Sequence, residues 1–238
     1  MNTPDTSPTP GRRHPLTEMI EFVTSVFVEM GFEVADGPHL EDEFHNFDAL
    51  NIPPTHPARD MQDTFFVRGM EGHVMRTHTS NVQIRFMENH TPPFKIIAPG
   101  MVYRNEATDA THEVQFHQIE GLVVGKNISV AHLKATLETC IAKIYGPDVA
   151  FRLRPGYFPF VEPGFEVDLK FNDTWLEVLG AGMVHPHVLR NVGIDPTEYS
   201  GFAFGIGIDR MAMMKWGIDD IRLLYQGDMR LHNGLELL

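Results

Sequence analysis

Four stretches of the chain carry side chains whose types and spacing could do chemistry. In the strand-like run from Gln115 to Val124, alternation puts Phe116, Gln118 and Glu120 on one face and His117 and Ile119 on the other. Ahead of it stand Tyr103-Arg104-Asn105-Glu106 and the polar stretch Ala107 to Glu113, so the whole reads as strand, loop and strand with charged residues at its mouth. A ring, an amide and a carboxylate in one row make either a solvent-facing hairpin surface or a ligand floor. On such a floor Phe116 would stack on a flat ring, and Gln118 and Glu120 would bind an ammonium group. Further on, Phe158 and Phe160 share a face between prolines that forbid a regular central strand; they either line an aromatic pocket or belong to the core. The segment Gly201 to Arg210 places small residues on a strand and an arginine in the first turn of the helix that follows. Its glycines either admit a ligand to the backbone, with Arg210 forking onto a phosphate, or serve tight helix packing beside a surface ion pair. The spacing is not that of a dinucleotide fingerprint, and no P-loop is present. In Trp175-Leu-Glu-Val-Leu179, alternation sets Glu177 beside Trp175 and Leu179, predicting an inward carboxylate that pairs with arginine or holds a cation. Thirteen histidines invite a zinc reading, but one cysteine and no i, i+4 histidine pair argue against it, and His185-Pro186-His187 reads as loop.

The elements that must position these residues follow from apolar spacing. Leu16, Met19, Ile20, Val23, Val26, Phe27 and Met30 keep helical period, and Gly31 stands where a C-terminal cap belongs. A short strand is predicted at 32–35, then loop with at most one helical turn as far as Asp60. Strands follow at 64–67, 95–98, 101–104 and 115–124. Ser129 caps a second helix that Gly146-Pro147 stops. Strands at 151–153, 165–171, 175–179 and 201–207 then lead into a helix over 209–215. Many strands with little βαβ alternation predict an α+β fold, a mostly antiparallel sheet flanked by helices.

Composition bounds the function. At 238 residues, 42% hydrophobic and 21% charged, the chain can bury a real core, and no apolar run approaches the ~18 residues of a membrane span. Residues 1–13, rich in Pro, Ser and Thr, read as a disordered lead-in to one domain over 14–238. The start lacks the apolar core of a secretory signal, and the single Cys140 has no partner for an internal disulfide, so the expected location is cytoplasmic. The formal charge of -13 opposes nucleic-acid binding over the whole surface but does not reach a local arginine pocket.

Together these segments resemble the class II aminoacyl-tRNA synthetases, and within them the α-subunit family of bacterial phenylalanyl-tRNA synthetases. Met30-Gly-Phe-Glu-Val-Ala-Asp-Gly-Pro38 is similar to the first signature motif, Tyr103-Arg-Asn-Glu106 with His112 and Phe116 to the second, and Gly205-Ile-Gly-Ile-Asp-Arg210 to the third. The stretches 46–51, 56–60, 76–80, 116–121 and 158–160 point to the phenylalanine specificity. The resemblance implies a class II catalytic fold that joins L-phenylalanine to ATP, with Mg2+, as phenylalanyl adenylate. Arg104 and Arg210 would be catalytic, holding the phosphates from two sides. Glu106, His112, Phe116 and Glu177 would complete the ATP site, with Glu177 a magnesium ligand. His78, Ser80, Gln118, Glu120, Phe158, Phe160 and Ala203 would bind phenylalanine, with Ala203 at the pocket floor. The implied partners are a β subunit, tRNA(Phe), and a second copy through the first-motif helix, with no membrane. The family's third motif usually has Glu where Asp209 stands, a change expected to be minor; the loop between Val67 and Val74 is short for the family, and the family's N-terminal coiled-coil arm is expected to be missing. Without that arm, tRNA binding is expected to be weak or absent. The alternative is an adenylating or non-catalytic paralogue that does not charge tRNA.

Overall fold

A computed structural model describes residues 13–55, 64–171 and 173–228. The predicted lead-in lies outside it up to residue 12, as does the stretch 56–60. Helix α1 (Pro15–Glu29) buries Leu16, Met19, Val23, Val26 and Phe27, the face its spacing predicted. His14 caps it by accepting the Leu16 N–H at 3.2 Å, and Gly31, at φ +79, ends it. Strand β1 is only Glu33–Val34. The expected loop beyond it contains β2 (Leu40–Asp42), α2 (Glu43–Asn46) and a 3-10 turn at Asp48–Leu50. Of the strand expected at 64–67, a single bridge from Phe66 to Val74 remains, beside β3 (His73–Met75), which pairs with β2.

Helix α3 (Ser80–Asn89) was not predicted. Its buried face includes Ser80, Asn81 and Gln83, so apolar periodicity fails where the helix turns polar side chains inward. The runs at 95–98 and 101–104 fuse into β4 (Phe94–Tyr103), antiparallel to β5 (Gln115–Gly125). After α4 (Val130–Tyr145), capped by Ser129, come β6 (Phe151–Phe158), β7 (Val161–Phe171) and β8 (Thr174–Val184). β6 tolerates Pro155 because it is an edge strand and its register slips between Gly156 and Phe158. The predicted loop at 185–187 instead starts a short helix, α5 (Pro186–Asn191), with Pro186 in its first turn. β9 (Ser200–Gly207) runs directly into α6 (Ile208–Trp216), and a 3-10 turn at Ile221–Leu224 follows.

The main sheet has the order β1-β4-β5-β9-β8-β7-β6, antiparallel throughout except for β1 beside β4. One face carries Ile119, Phe204, Ile206, Leu179, Ala181 and Val167 into a core shared with Met19, Val23 and Phe27 of α1, Leu133 and Leu137 of α4, and Met211 of α6. The other face is covered at one end by Val82, Ile84 and Met87 of α3 and Val188 of α5, packed on Ile96, Leu122 and Val184. Register places Glu120, Gly205, Gly180, Glu166 and Arg154 side by side across five strands of that second face. Its middle is therefore a trough floored by glycine, walled by α3 on one side and by side chains of β6 and β7 on the other. Among the described residues no helix is long and apolar enough to cross a membrane.

Candidate functional site

The trough deepens into a cavity of about 770 Å³ lined by His78, Ser80, Gln83, Arg104, Gln118, Glu120, Phe158, Phe160 and Ala203, with Leu50, Met87, Leu122, Val184 and Val188 around its apolar end. That volume lies in the range of small-molecule sites. Gln118 and Glu120 of the hairpin's polar row thus line the cavity, which answers the first of the open alternatives for these two, while Phe116 lies outside it beneath Arg104. Phe158 and Phe160 sit 6.0 Å apart at 26°, both on the cavity wall, and Phe160 packs against the core as well.

Two glycines make the floor possible. A Cβ on Gly180 would lie 3.0 Å from the Phe158 ring, and one on Gly205 would lie 3.2 Å from Glu120 Cγ. Side chains at either position would push the aromatic wall or the carboxylate out of place. The stretch 46–51 braces both walls. Asn46 exchanges hydrogen bonds with Thr77, Nδ2 donating to Oγ1 at 3.1 Å and Oδ1 accepting the Thr77 N–H at 3.2 Å, which holds the connection between β3 and α3 that carries His78. Asn51 Nδ2 donates to the Pro159 carbonyl at 2.7 Å, fixing the turn between the two phenylalanines.

Glu120 is buried and accepts three hydrogen bonds, from Ser80 Oγ, from the Thr79 N–H at 3.1 Å and from Gln83 Nε2 at 3.1 Å. Burial nevertheless pushes its carboxyl up to about 7, only partly offset by Ser80, the Thr79 N–H and the charges of Arg104 and Arg76. His78 is held neutral: burial and the neighbouring Arg104 bring it down to about 3, against a weaker pull from the Asn46 backbone. Burial also lowers Arg104 from its ordinary value.

Several buried polar atoms here have no partner in good hydrogen-bond geometry: both ring nitrogens of His78, Thr79 Oγ1, Arg104 Nε and Gln118 Oε1. An unpaired buried polar group costs about 1–3 kcal/mol, and His78, Arg104 and Gln118 all line the one cavity, where a ligand could supply the missing partners. Donors and acceptors of both kinds face a carboxylate across it, while the far end is apolar and aromatic. The arrangement suits a small zwitterion with a flat hydrocarbon side chain.

Arg104 leads outward from the cavity. Its guanidinium lies 4.9 Å over the Phe116 ring and 3.9 Å from Glu106, so these three form a second cluster at the mouth. Neither His112 nor Arg210 lines the cavity. His112 is exposed and bound to Asp109, whose carboxylate also caps the Thr111 and His112 N–H groups. Arg210 is exposed on the first turn of α6, with no ion pair among the described residues.

Glu177 corrects the sequence reading. A bulge between Val167 and Asp168 pairs Asp168 with Glu177 but Val167 with Leu179, so Glu177 and Leu179 face opposite sides of the sheet. Leu179 enters the core, and Glu177 is exposed on the trough face, 3.6 Å from Arg154. Glu106 and Glu177 offer the hard oxygens that magnesium takes, so the donor type fits; each already faces an arginine, and an ion arriving on a triphosphate would compete with those pairs. Among the described residues the one close group of three potential metal ligands, Glu41, Asp42 and His45, lies elsewhere and includes an imidazole, and its buried Glu41 is taken by Arg85 and Asn81.

Sequence reasoning missed Gln83, Thr79 and the apolar end. Ser80, Gln83 and Met87 recur at i, i+3 and i+7, the signature of one helix face, but two of the three are too polar to register as a buried stripe.

Residues 1–235 match the family model described as tRNA synthetases class II core domain (F). The chain is 56% identical to the phenylalanine–tRNA ligase alpha subunit of Laribacter hongkongensis over 92% of its own length, and 52% identical to that of Synechocystis over 92%. It spans 66% of the length of each of these relatives. It is 50% identical to the Clostridium perfringens alpha subunit, over 98% of this chain and 72% of that one. Among solved structures, pyrrolysyl-tRNA synthetase from Desulfitobacterium hafniense superposes with a TM-score of 0.70 at 18% identity, over 91% of this chain and 75% of that one, a likeness of fold.

Proposed function

Because the chain belongs to the class II tRNA synthetase core-domain family, on the branch of the phenylalanine–tRNA ligase alpha subunits, we propose that it activates L-phenylalanine with ATP and, with a β subunit, passes it to tRNA(Phe). One observation carries the reading: the unpaired buried atoms of His78, Arg104 and Gln118 gather around the same cavity as the Glu120 carboxylate and two phenylalanine rings.

In this reading Glu120 and Gln118 hold the substrate ammonium, and His78 and Ser80 help orient its carboxylate. Phe158 and Phe160 meet the substrate ring, a contact worth about 0.5–1.5 kcal/mol per aromatic pair beyond burial. Ala203, on the floor beside Leu122, is small enough to leave room for that ring. Phe116 stacks on adenine, and Arg104 swings between the mouth and the α-phosphate. Arg210 and His112 meet the outer phosphates. One oxygen of the phenylalanine carboxylate bonds to the α-phosphorus as the bond to the β-phosphate oxygen breaks, releasing pyrophosphate. The step needs orientation and charge stabilisation and no covalent help from the protein. Magnesium, met by Glu177 with Glu106, would supply neutralisation of the triphosphate.

The test is phenylalanine-dependent exchange of labelled pyrophosphate into ATP, by this chain with and without a bacterial β subunit. Exchange with phenylalanine and not with histidine is expected, falling at least 100-fold in Arg104→Ala and Arg210→Ala. A folded protein that exchanges nothing even with β present would favour a non-catalytic paralogue. The same reading assigns a cytoplasmic location and self-association through α1 and β1.

A further inference from the structure

One buried polar cluster takes no part in the site described. Asp209, beside Arg210 in the first turn of α6, is 2% exposed. Its carboxylate accepts the His117 N–H at 2.6 Å and the Tyr225 hydroxyl. The Tyr225 oxygen also lies 3.1 Å from His117 Nδ1, and the two rings run parallel within 3°. Tyr225 closes the 3-10 turn whose Ile221 and Leu224 are anchored in the core. From the same turn the Ile221 N–H donates to the Ala110 carbonyl at 2.9 Å, in the loop that carries Glu106 and His112. A single segment, 218–225, thus ties together the helix start bearing Arg210, the strand between Phe116 and Gln118, and the loop before it.

We propose that Tyr225 and Asp209 are positioning residues for the nucleotide half of the site, the segment 218–225 acting as a strap that fixes Arg210 against the strand and loop carrying Phe116 and His112. The proposal rests on the adenylation reading and deepens it. No residue of the strap lines the cavity, and its bonds reach β5 only through the His117 N–H and side chain, so its effect is expected chiefly on ATP. Asp209 is then a working part of the third motif: a carboxylate held from two sides by an N–H and an O–H, each bond to a charged acceptor being stronger than a neutral one. Burial, raising Asp209 to about 6, is consistent with an acceptor kept away from water.

The experiment is pyrophosphate exchange by Tyr225→Phe and Asp209→Asn beside the wild-type chain, all with β present, varying ATP and phenylalanine separately. Tyr225→Phe removes one hydroxyl and leaves the ring packed, so the fold survives. The expected result is a KM for ATP raised at least fivefold, a KM for phenylalanine within twofold of wild type, and a larger shift in the same direction for Asp209→Asn. The double variant should be no worse than Asp209→Asn alone, because both act through one carboxylate. A purely structural role would instead lower kcat with both KM values unchanged, and that result, or equal rises in both, would overturn the strap. The wild-type control separates the two levels. Exchange absent from wild type removes the adenylation reading and the strap with it, whereas wild-type exchange matched by Tyr225→Phe removes the strap alone.

Discussion

A carboxyl group as deeply enclosed as that of Glu120 keeps its proton up to about pH 7 when only protein surrounds it. An ammonium ion placed beside it would favour the ionised form, so under the proposed function binding an amino acid would release a proton. Phenylalanine affinity should therefore rise about tenfold between pH 6 and pH 8, following the ionised fraction of a group that titrates near 7. Calorimetric titration of phenylalanine across that range checks it; an affinity flat in pH would remove Glu120 from the ammonium site. Glu120→Gln keeps the shape and loses the charge. It should weaken phenylalanine about 10- to 100-fold, the value of a hydrogen bond to a charged group, and abolish the pH dependence. Stability carries the opposite sign. Between the ordinary carboxylate range and about pH 7 the folded chain holds a proton the unfolded chain has lost, so wild-type stability falls as pH rises through that window, while the Gln variant lacks that contribution. At this scale much was legible: alternation alone put Phe116, Gln118 and Glu120 in one row. The missing knowledge was which face of the sheet was open, and that depends on helices placed elsewhere in the chain.

Strands and helices show where local patterns stop being sufficient. Alternation is reliable on β5, which pairs without interruption, and fails on β8, where one extra residue reverses the sense of Glu177. The short runs read at 151–153 and 165–171 extend to Phe158 and back to Val161 because prolines and glycines are tolerated at a sheet edge and its bulges. What holds that edge is Asp168, which accepts Arg152 Nε at 2.8 Å and Arg154 Nε and Nη2 at 2.6 and 2.9 Å, while Arg152 lies 4.4 Å over the Trp175 ring. Arg154's hydrogen bonds pull the Asp168 carboxyl down to about 2. A carboxylate lowered in the folded state contributes stability that is present above its unfolded value near 3.8 and is lost as pH falls to about 2. Asp168→Asn should lower the melting temperature by about 3 °C or more at neutral pH, and the gap to wild type should close by pH 2. A gap unchanged by acid would mean that Asp168 acts through packing and not through its charge.

Over the whole molecule, charge and apolar surface set what the chain can do alone. A formal charge of -13 works against a polyanion, so any tRNA contact needs basic surface from a partner or from a restricted patch such as the mouth around Arg104. At the β1 end of the sheet the situation differs. β1 is two residues long, pairs with β4 alone among the described residues, and leaves Val34 46% exposed, while α1 before it exposes Val28 at 50%. An unpaired sheet edge flanked by large apolar side chains favours association with another protein surface. The family resemblance marks the same segment, Met30 to Pro38, which is why the sequence could point to it although no pattern of spacing distinguishes an interface from a core. Alone in solution the chain should form a dimer at micromolar concentration, and Val28→Glu with Val34→Glu should shift it to monomer without loss of helix content, because both side chains leave the core untouched. Sedimentation velocity over a hundredfold concentration range decides the matter. A wild-type chain that stays monomeric throughout would assign this edge to the β subunit, in which case the glutamate pair should abolish β binding instead. Indifference of the pair in both assays would leave α1 and β1 without an interface role, since charges placed on a buried contact cost several kcal/mol and could not pass unnoticed.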